Sequence, residues 1–182
     1  MAPDSFGPRG HAGGVCARGT LVSGSERVTD VAGALDYLNA QPFVQKNRIG
    51  LIGHSHGGWT TVRAVQKSYG LAARGLKAAV AYYPSCAPNF DRDVAVPLLI
   101  LIGDKDDWTP ADRCRQLQAA GFTQPGLVEA VYYPNAYHSF DSRAADRTIT
   151  VADGKSHRLA YDPVASPDAE ARTKAFFAKY LR

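Results

Sequence analysis

The chain has 182 residues, 45% of them hydrophobic, and its 21 Lys and Arg exceed its 17 Asp and Glu to give a net charge of +4. That length and balance fit one domain over residues 1–182 with one core, and exclude a disordered or fibrous chain. The charges are scattered, with no Lys/Arg run or basic helix face, so no nucleic-acid partner is expected.

The longest apolar runs are strand-sized, so no membrane partner is expected either. Residues 1–20 hold Pro, Gly, Asp and Arg where a signal peptide would hold an apolar core, which makes the cytoplasm the default compartment. Residues 1–24 read as an irregular, Gly-rich lead. Ser25 is then expected to cap a helix whose apolar positions Val28, Val31, Leu35 and Leu38 step by three and four, with Pro42 closing it. A strand at 48–53 runs through Gly53-His54-Ser55-His56-Gly57 into a second helix, expected to reach about Tyr69, with Trp59, Val62 and Val65 inward and Gly70 as its stop.

Apolar strands follow at 76–83 and 96–103, then a helix from Pro110 to Ala120 with Thr109 as N-cap, and a strand at 127–134. Within the polar stretch 141–164, residues 148–151 and the Asp153-Gly154 turn suggest a small hairpin, either a cover for a site or a decoration. Ser166-Pro167 opens a last helix to Leu181, with Asp168 and Glu170 early and Lys179 late, as the helix dipole favours. Strands alternating with helices predict an α/β fold with right-handed crossovers and a mostly parallel sheet.

Three loops of that sheet carry chemistry. Gly53-His54-Ser55-His56-Gly57 is a G-x-S-x-G pattern between a strand and a helix. Reversing strand into helix within so few residues strains Ser55 and exposes its hydroxyl. Side chains two before and two after would then collide, which suits Gly53 and Gly57. The new helix aims its free N–H groups at any oxyanion built on the serine. The strand at 96–103 ends in Asp104, Asp106 and Asp107, any of which could fix a histidine tautomer, although an Asp-rich turn is often only a solvated turn. The strand at 127–134 ends in a loop holding His138, an imidazole suited to taking and returning a proton near neutrality. Serine, acid and histidine follow in the chain order of this pattern, each at the carboxyl end of a parallel strand, where open sheets place their ligands.

With these segments the chain resembles the dienelactone hydrolase family of α/β-hydrolases. The likeness runs through Pro3-Asp4-Ser5-Phe6-Gly7-Pro8-Arg9-Gly10, the Ser55 elbow with Gly58, residues 101–110 and residues 133–141. It implies Ser55 as nucleophile and His138 as base. It implies Asp106 as acid, since the family's acid usually precedes a proline by four, as Asp106 precedes Pro110; Asp107 and Asp104 are the fallbacks. The His56 backbone N–H is the implied oxyanion donor. Two departures stand out. The namesake enzymes use cysteine where this chain has Ser55, which favours a general serine esterase. Family members also carry strands, and a second oxyanion donor, ahead of the Pro-Asp-Ser-Phe segment that here follows Met1 almost directly.

The expected function is cleavage of small esters or lactones through an acyl-enzyme on Ser55, with no cofactor and no metal. The alternatives are a small serine peptidase of the same fold, or a non-catalytic module that binds or assembles. His54 and His56, two apart across an elbow, are not expected to converge on an ion. Cys16, Cys86 and Cys114 are expected as free thiols, with a Cys86–Cys114 bridge as the alternative. With no long apolar strand before it, 48–53 should be a sheet edge, and self-association through that edge and residues 1–24 into a homodimer is expected.

Overall fold

The computed structural model describes residues 1–15, 21–87 and 89–182. Four strands, β1 (Ile49–His54), β2 (Leu76–Tyr82), β3 (Leu98–Gly103) and β4 (Val128–Tyr133), form one parallel sheet in the order β1-β2-β3-β4. The inner strands explain their own composition. Every residue of β3 is buried, as is every residue of β2 except Lys77, and a strand covered on both faces has no use for a polar side. Burying each Leu or Ile of β3 is worth roughly 1.5–3 kcal/mol. Among the described residues β1 pairs only with β2, so it lies at an edge, with Ile52 47% exposed.

Helices α1 (Gly24–Ala40), α2 (His56–Ala64), α3 (Ala111–Ala119) and α4 (Ala165–Tyr180) flank the sheet. Side chains alternate faces along a strand, so Gly50 and Gly53 of β1 look opposite ways. A Cβ on Gly50 would meet Phe177 of α4 at 2.7 Å, and one on Gly53 would meet Thr61 of α2 at 2.3 Å. The two helices therefore cover opposite faces of β1, and both need glycine to approach it. A separate antiparallel hairpin, β5 (Arg147–Thr150) and β6 (Ser156–Leu159), stands where the sequence suggests one.

The element ends differ from expectation for local reasons. Ser23, not Ser25, caps α1, because Glu26 stands three residues beyond Ser23 and completes a reciprocal capping box. Helix α2 stops at Ala64 instead of running to Tyr69, because the segment at 93–95 takes its backbone. Ala95 N–H donates to Val65 O at 2.9 Å and Lys67 N–H to Asp93 O at 2.8 Å. Pro110 is the N-cap of α3, and the Thr109 hydroxyl is used elsewhere. At the start of α4, Asp162 Oδ1 accepts from the amides of Val164 and Ala165, ahead of Ser166-Pro167.

The expectation of free thiols is overturned for two cysteines. Cys86, just after β2, and Cys114, in α3, form a disulfide with Cα atoms 5.0 Å apart. Each follows one of two neighbouring strands, Cys86 directly after β2 and Cys114 in the helix after β3, and both are buried. Cys16 lies outside the described residues.

Candidate active site

The elbow at Ser55 comes from β1 running directly into α2. Ser55 has φ 52° and ψ −113°, a conformation costly for an L-residue, held by its own N–H on Tyr82 O at 3.0 Å and by Trp59 N–H on Ser55 O at 2.9 Å. The steric demand falls on Gly53, whose Cβ would strike Gly57 O at 2.2 Å. It also falls on Gly58, whose Cβ would lie 2.7 Å from Tyr82 O. A Cβ on Gly57 itself would meet nothing within 4 Å, so the expected collision is one-sided. His56 is the first residue of α2, and its N–H is among those a helix leaves without an intrahelical acceptor.

The acid and histidine loops are joined before any side chain meets. Asp104 N–H donates to Tyr133 O at 2.9 Å and Lys105 N–H to Ala136 O at 3.0 Å. Beyond His138, the chain pairs with the strand leaving the hairpin, through Ala160 N–H on His138 O at 3.2 Å and Asp162 N–H on Phe140 O at 2.9 Å. Between these clamps, His138 Nδ1 lies 2.8 Å from Asp106 Oδ2 and His138 Nε2 lies 2.8 Å from Ser55 Oγ. A carboxylate only accepts, so Nδ1 carries the proton and Nε2 is left to accept from the serine hydroxyl. The side chains of His138 and Asp106 are 2% and 0% exposed.

Asp106 is saturated with donors. Its Oδ1 accepts from the amides of Trp108 at 2.9 Å and Thr109 at 2.8 Å, and Oδ2 lies 2.8 Å from the Thr109 hydroxyl. That hydroxyl has a single proton, and Tyr83 O at 3.0 Å is its other acceptor. Thr109, read as a helix cap, is thus part of the acid's cradle. The fallback acids go elsewhere. Asp104 pairs with Arg115, and Asp107 accepts from the Arg158 amide at 3.3 Å.

Asp107 also fastens the hairpin over the site. Its Oδ1 is 3.4 Å from His157 Nδ1 on β6, and the His157 ring stacks nearly parallel on Trp108, centroids 5.0 Å apart. Trp108 in turn lies 5.0 Å from the His138 ring. The resulting cavity, about 720 Å³, has Ser55 on its wall, flanked by Trp59, Trp108 and Pro110, with Val151 and Ala152 from the hairpin tip. The hairpin is therefore a cover. Neither Trp108 nor His157 was legible as site material, because stacking across 49 residues leaves no local pattern.

The two histidines beside Ser55 diverge. His56 Nε2 donates to Val22 O at 2.8 Å, its Nδ1 accepts from Arg27 Nη1 at 2.9 Å, and its ring meets Phe6 and Trp59 edge-on. Burial, with the Arg27 charge second, lowers its pKa from the ordinary value. His54 instead stacks on Tyr82 at 4.7 Å and faces Asp141, with Nε2 3.4 Å from Oδ2.

Residues 15–181 match the dienelactone hydrolase family. A protein of Klebsiella pneumoniae assigned as a dienelactone hydrolase is 26% identical, with a TM-score of 0.66 over 88% of this chain and 64% of that one. P91, a dienelactone hydrolase-like promiscuous phosphotriesterase from metagenomic libraries, is 21% identical, with a TM-score of 0.66 over 87% and 62%. The dienelactone hydrolase of Anabaena variabilis is 20% identical, with a TM-score of 0.62 over 87% and 62%. The chain thus spans less than two thirds of the length of these relatives. No curated protein matches it. The fold, the elbow and the match across nearly all its residues agree: the chain belongs to the dienelactone hydrolase family.

Proposed function

We propose that the chain is a serine hydrolase that cleaves small carboxylic esters or lactones through an acyl-enzyme on Ser55. The observation that carries this reading is the unbroken run of hydrogen bonds from Asp106 through His138 to Ser55, 2.8 Å at each of its two steps. As Ser55 Oγ attacks the ester carbonyl, its proton passes to His138 Nε2. Asp106 holds the imidazole by Nδ1 and stabilises the imidazolium. The carbonyl oxygen becomes an oxyanion facing the His56 N–H at the start of α2, where the helix dipole favours negative charge. Collapse expels the alcohol, which takes the proton from His138. Water then repeats the sequence on the acyl-enzyme and frees the acid.

The apolar part of the cavity wall, Trp59, Trp108, Pro110 and Val151, supports an acyl or alcohol group of modest size, and Asp107, Arg113, Asp153 and Lys155 share the lining. The buried Cys86–Cys114 bridge favours an oxidising compartment over the cytoplasmic default. No described helix is long and apolar enough to cross a membrane. The exposed edge of β1 supports pairing of two copies. The decisive experiment is labelling with a fluorophosphonate probe, followed by peptide mapping and a series of acyl esters. Modification at Ser55 together with ester turnover is expected; an unlabelled, folded protein would sink the reading.

A further inference from the structure

Among the described residues, three non-glycine positions have left-handed φ: Ser55 at 52°, Tyr83 at 36° and Ser139 at 57°. They lie on three separate segments, namely the elbow, the end of β2 and the loop after β4. Ser55 belongs to the Ser55–His138 pair, and Tyr83 and Ser139 border it. Such conformations persist only where the surroundings over-determine them. Backbone bonds join the elbow to the end of β2, through Ser55 N–H on Tyr82 O at 3.0 Å, but among the described residues none ties either of these to the loop after β4.

One side chain does. Asp141 Oδ1 accepts the Tyr83 hydroxyl at 2.8 Å, and Oδ2 faces His54 Nε2 at 3.4 Å. His54 immediately precedes Ser55, and Asp141 follows Ser139 by two residues. We propose that Asp141 is a positioning residue, a clasp that ties the three left-handed segments together and so keeps Ser55 and His138 at reacting distance. The inference rests on the hydrolase reading above only for its kinetic readout.

The path from clasp to imidazole is short. The Tyr83 ring lies 4.7 Å from the His138 ring and 5.6 Å from Phe140, so the hydroxyl bond to Asp141 sets the wall against which His138 rests. Charge suits the role. Burial works to raise the Asp141 pKa, but hydrogen bonds from His54 and Tyr83 outweigh it, and the carboxyl titrates below its ordinary range. Burial first, and then the Asp141 charge, push the Tyr83 phenol up, so it stays a donor. Asp141, Tyr83 and His54 do not line the cavity, which separates this role from substrate contact.

The test uses the full chain with Tyr83→Phe, which deletes one hydroxyl and keeps the ring, and with Asp141→Ala. With a short-chain chromogenic ester, kcat should fall about tenfold in Tyr83→Phe and on the order of a hundredfold in Asp141→Ala, with KM nearly constant, as expected when reacting groups are misplaced by about an ångström. The double variant should be no slower than Asp141→Ala, because the two residues act as a unit. Independently of turnover, the downfield Nδ1–H proton resonance of His138 should broaden or shift in both variants. A kcat that tracks only the folded fraction, or a rise in KM at constant kcat, overturns the clasp. If the wild-type chain neither labels nor turns over, the hydrolase reading fails alone. The His138 resonance then decides the clasp, and an unchanged signal in Tyr83→Phe overturns it.

Discussion

The two flanks of Ser55 are built differently. On one side, His138 and Asp106 are buried, and the acid takes two backbone amides as well as the imidazole; the partners lie far from Ser55 in sequence. On the other, His56 is held by Val22, Arg27 and the edges of Phe6 and Trp59, and beyond it lies the open edge of β1. A buried network that satisfies every member has one arrangement, whereas aromatic and cation contacts near a surface have several of similar energy. The first flank is therefore made to fix atoms, and the second to tolerate change.

The sharpest way to break this contrast is to remove the fixed atoms. Ser55→Ala and His138→Ala should each abolish nearly all ester hydrolysis, and the double variant should lose little more. Near-wild-type turnover in either single variant, or a double variant far slower than both, would dissolve the unit. Next, Asp106→Asn should keep the fold while lowering kcat on the order of 10⁴-fold, by the precedent of serine proteases. Asp107→Asn, whose side chain is 49% exposed and turned to the hairpin, should leave kcat near wild type. The reverse ranking would move the acid role to Asp107. Replacing His157 with Ala removes the plate stacked on Trp108, so the hairpin should loosen and KM should rise severalfold with kcat held, as for loss of uniform binding.

The softer flank should show itself in acid. The pKa of His56 lies below the ordinary 6.5 in the folded chain, so the unfolded chain takes up the proton first as pH falls. The stability this site contributes is complete above 6.5 and is lost as pH falls from there through the lowered folded value. Thermal midpoints measured from pH 8 to pH 4 should decline, and His56→Gln should flatten the decline; parallel curves would show that the imidazole is not responsible. The smallest effect concerns the edge of β1. Light scattering across a dilution series should show a dimer dissociating, and Ile52→Lys should favour the monomer. A monomer at every concentration would mean that the edge is adequately covered.

The same contrast governs what could be read in advance. Ser55, Asp106 and His138 were legible because each ends a strand in a fixed order, and strand ends are visible as apolar runs meeting Gly or Asp. The choice of Asp106 among three aspartates was not legible from periodicity and came from the family resemblance. Thr109 ahead of a proline has the look of a cap, and nothing local reveals that a carboxylate three residues back takes its amide. Helix α2 ends short of the expected Tyr69 because its end is set by residues 93–95, about 30 positions away. Tyr83 and Asp141 were invisible for the same reason. Their bond joins residues 58 apart, and a sequence shows only neighbours.

The Cys86–Cys114 bridge closes a covalent ring that contains β3 and the whole acid loop. Joining cysteines 28 positions apart restricts the unfolded chain by about 3.6 kcal/mol on the chain-entropy estimate. It also changes what a protease can do. A cut in the exposed stretch around Asp91 and Arg92 would leave two fragments still joined, with Asp106 tethered beside its partners. A nicked molecule should therefore migrate as one species until a reductant is added, and should hold its acid in place long after its backbone has been broken.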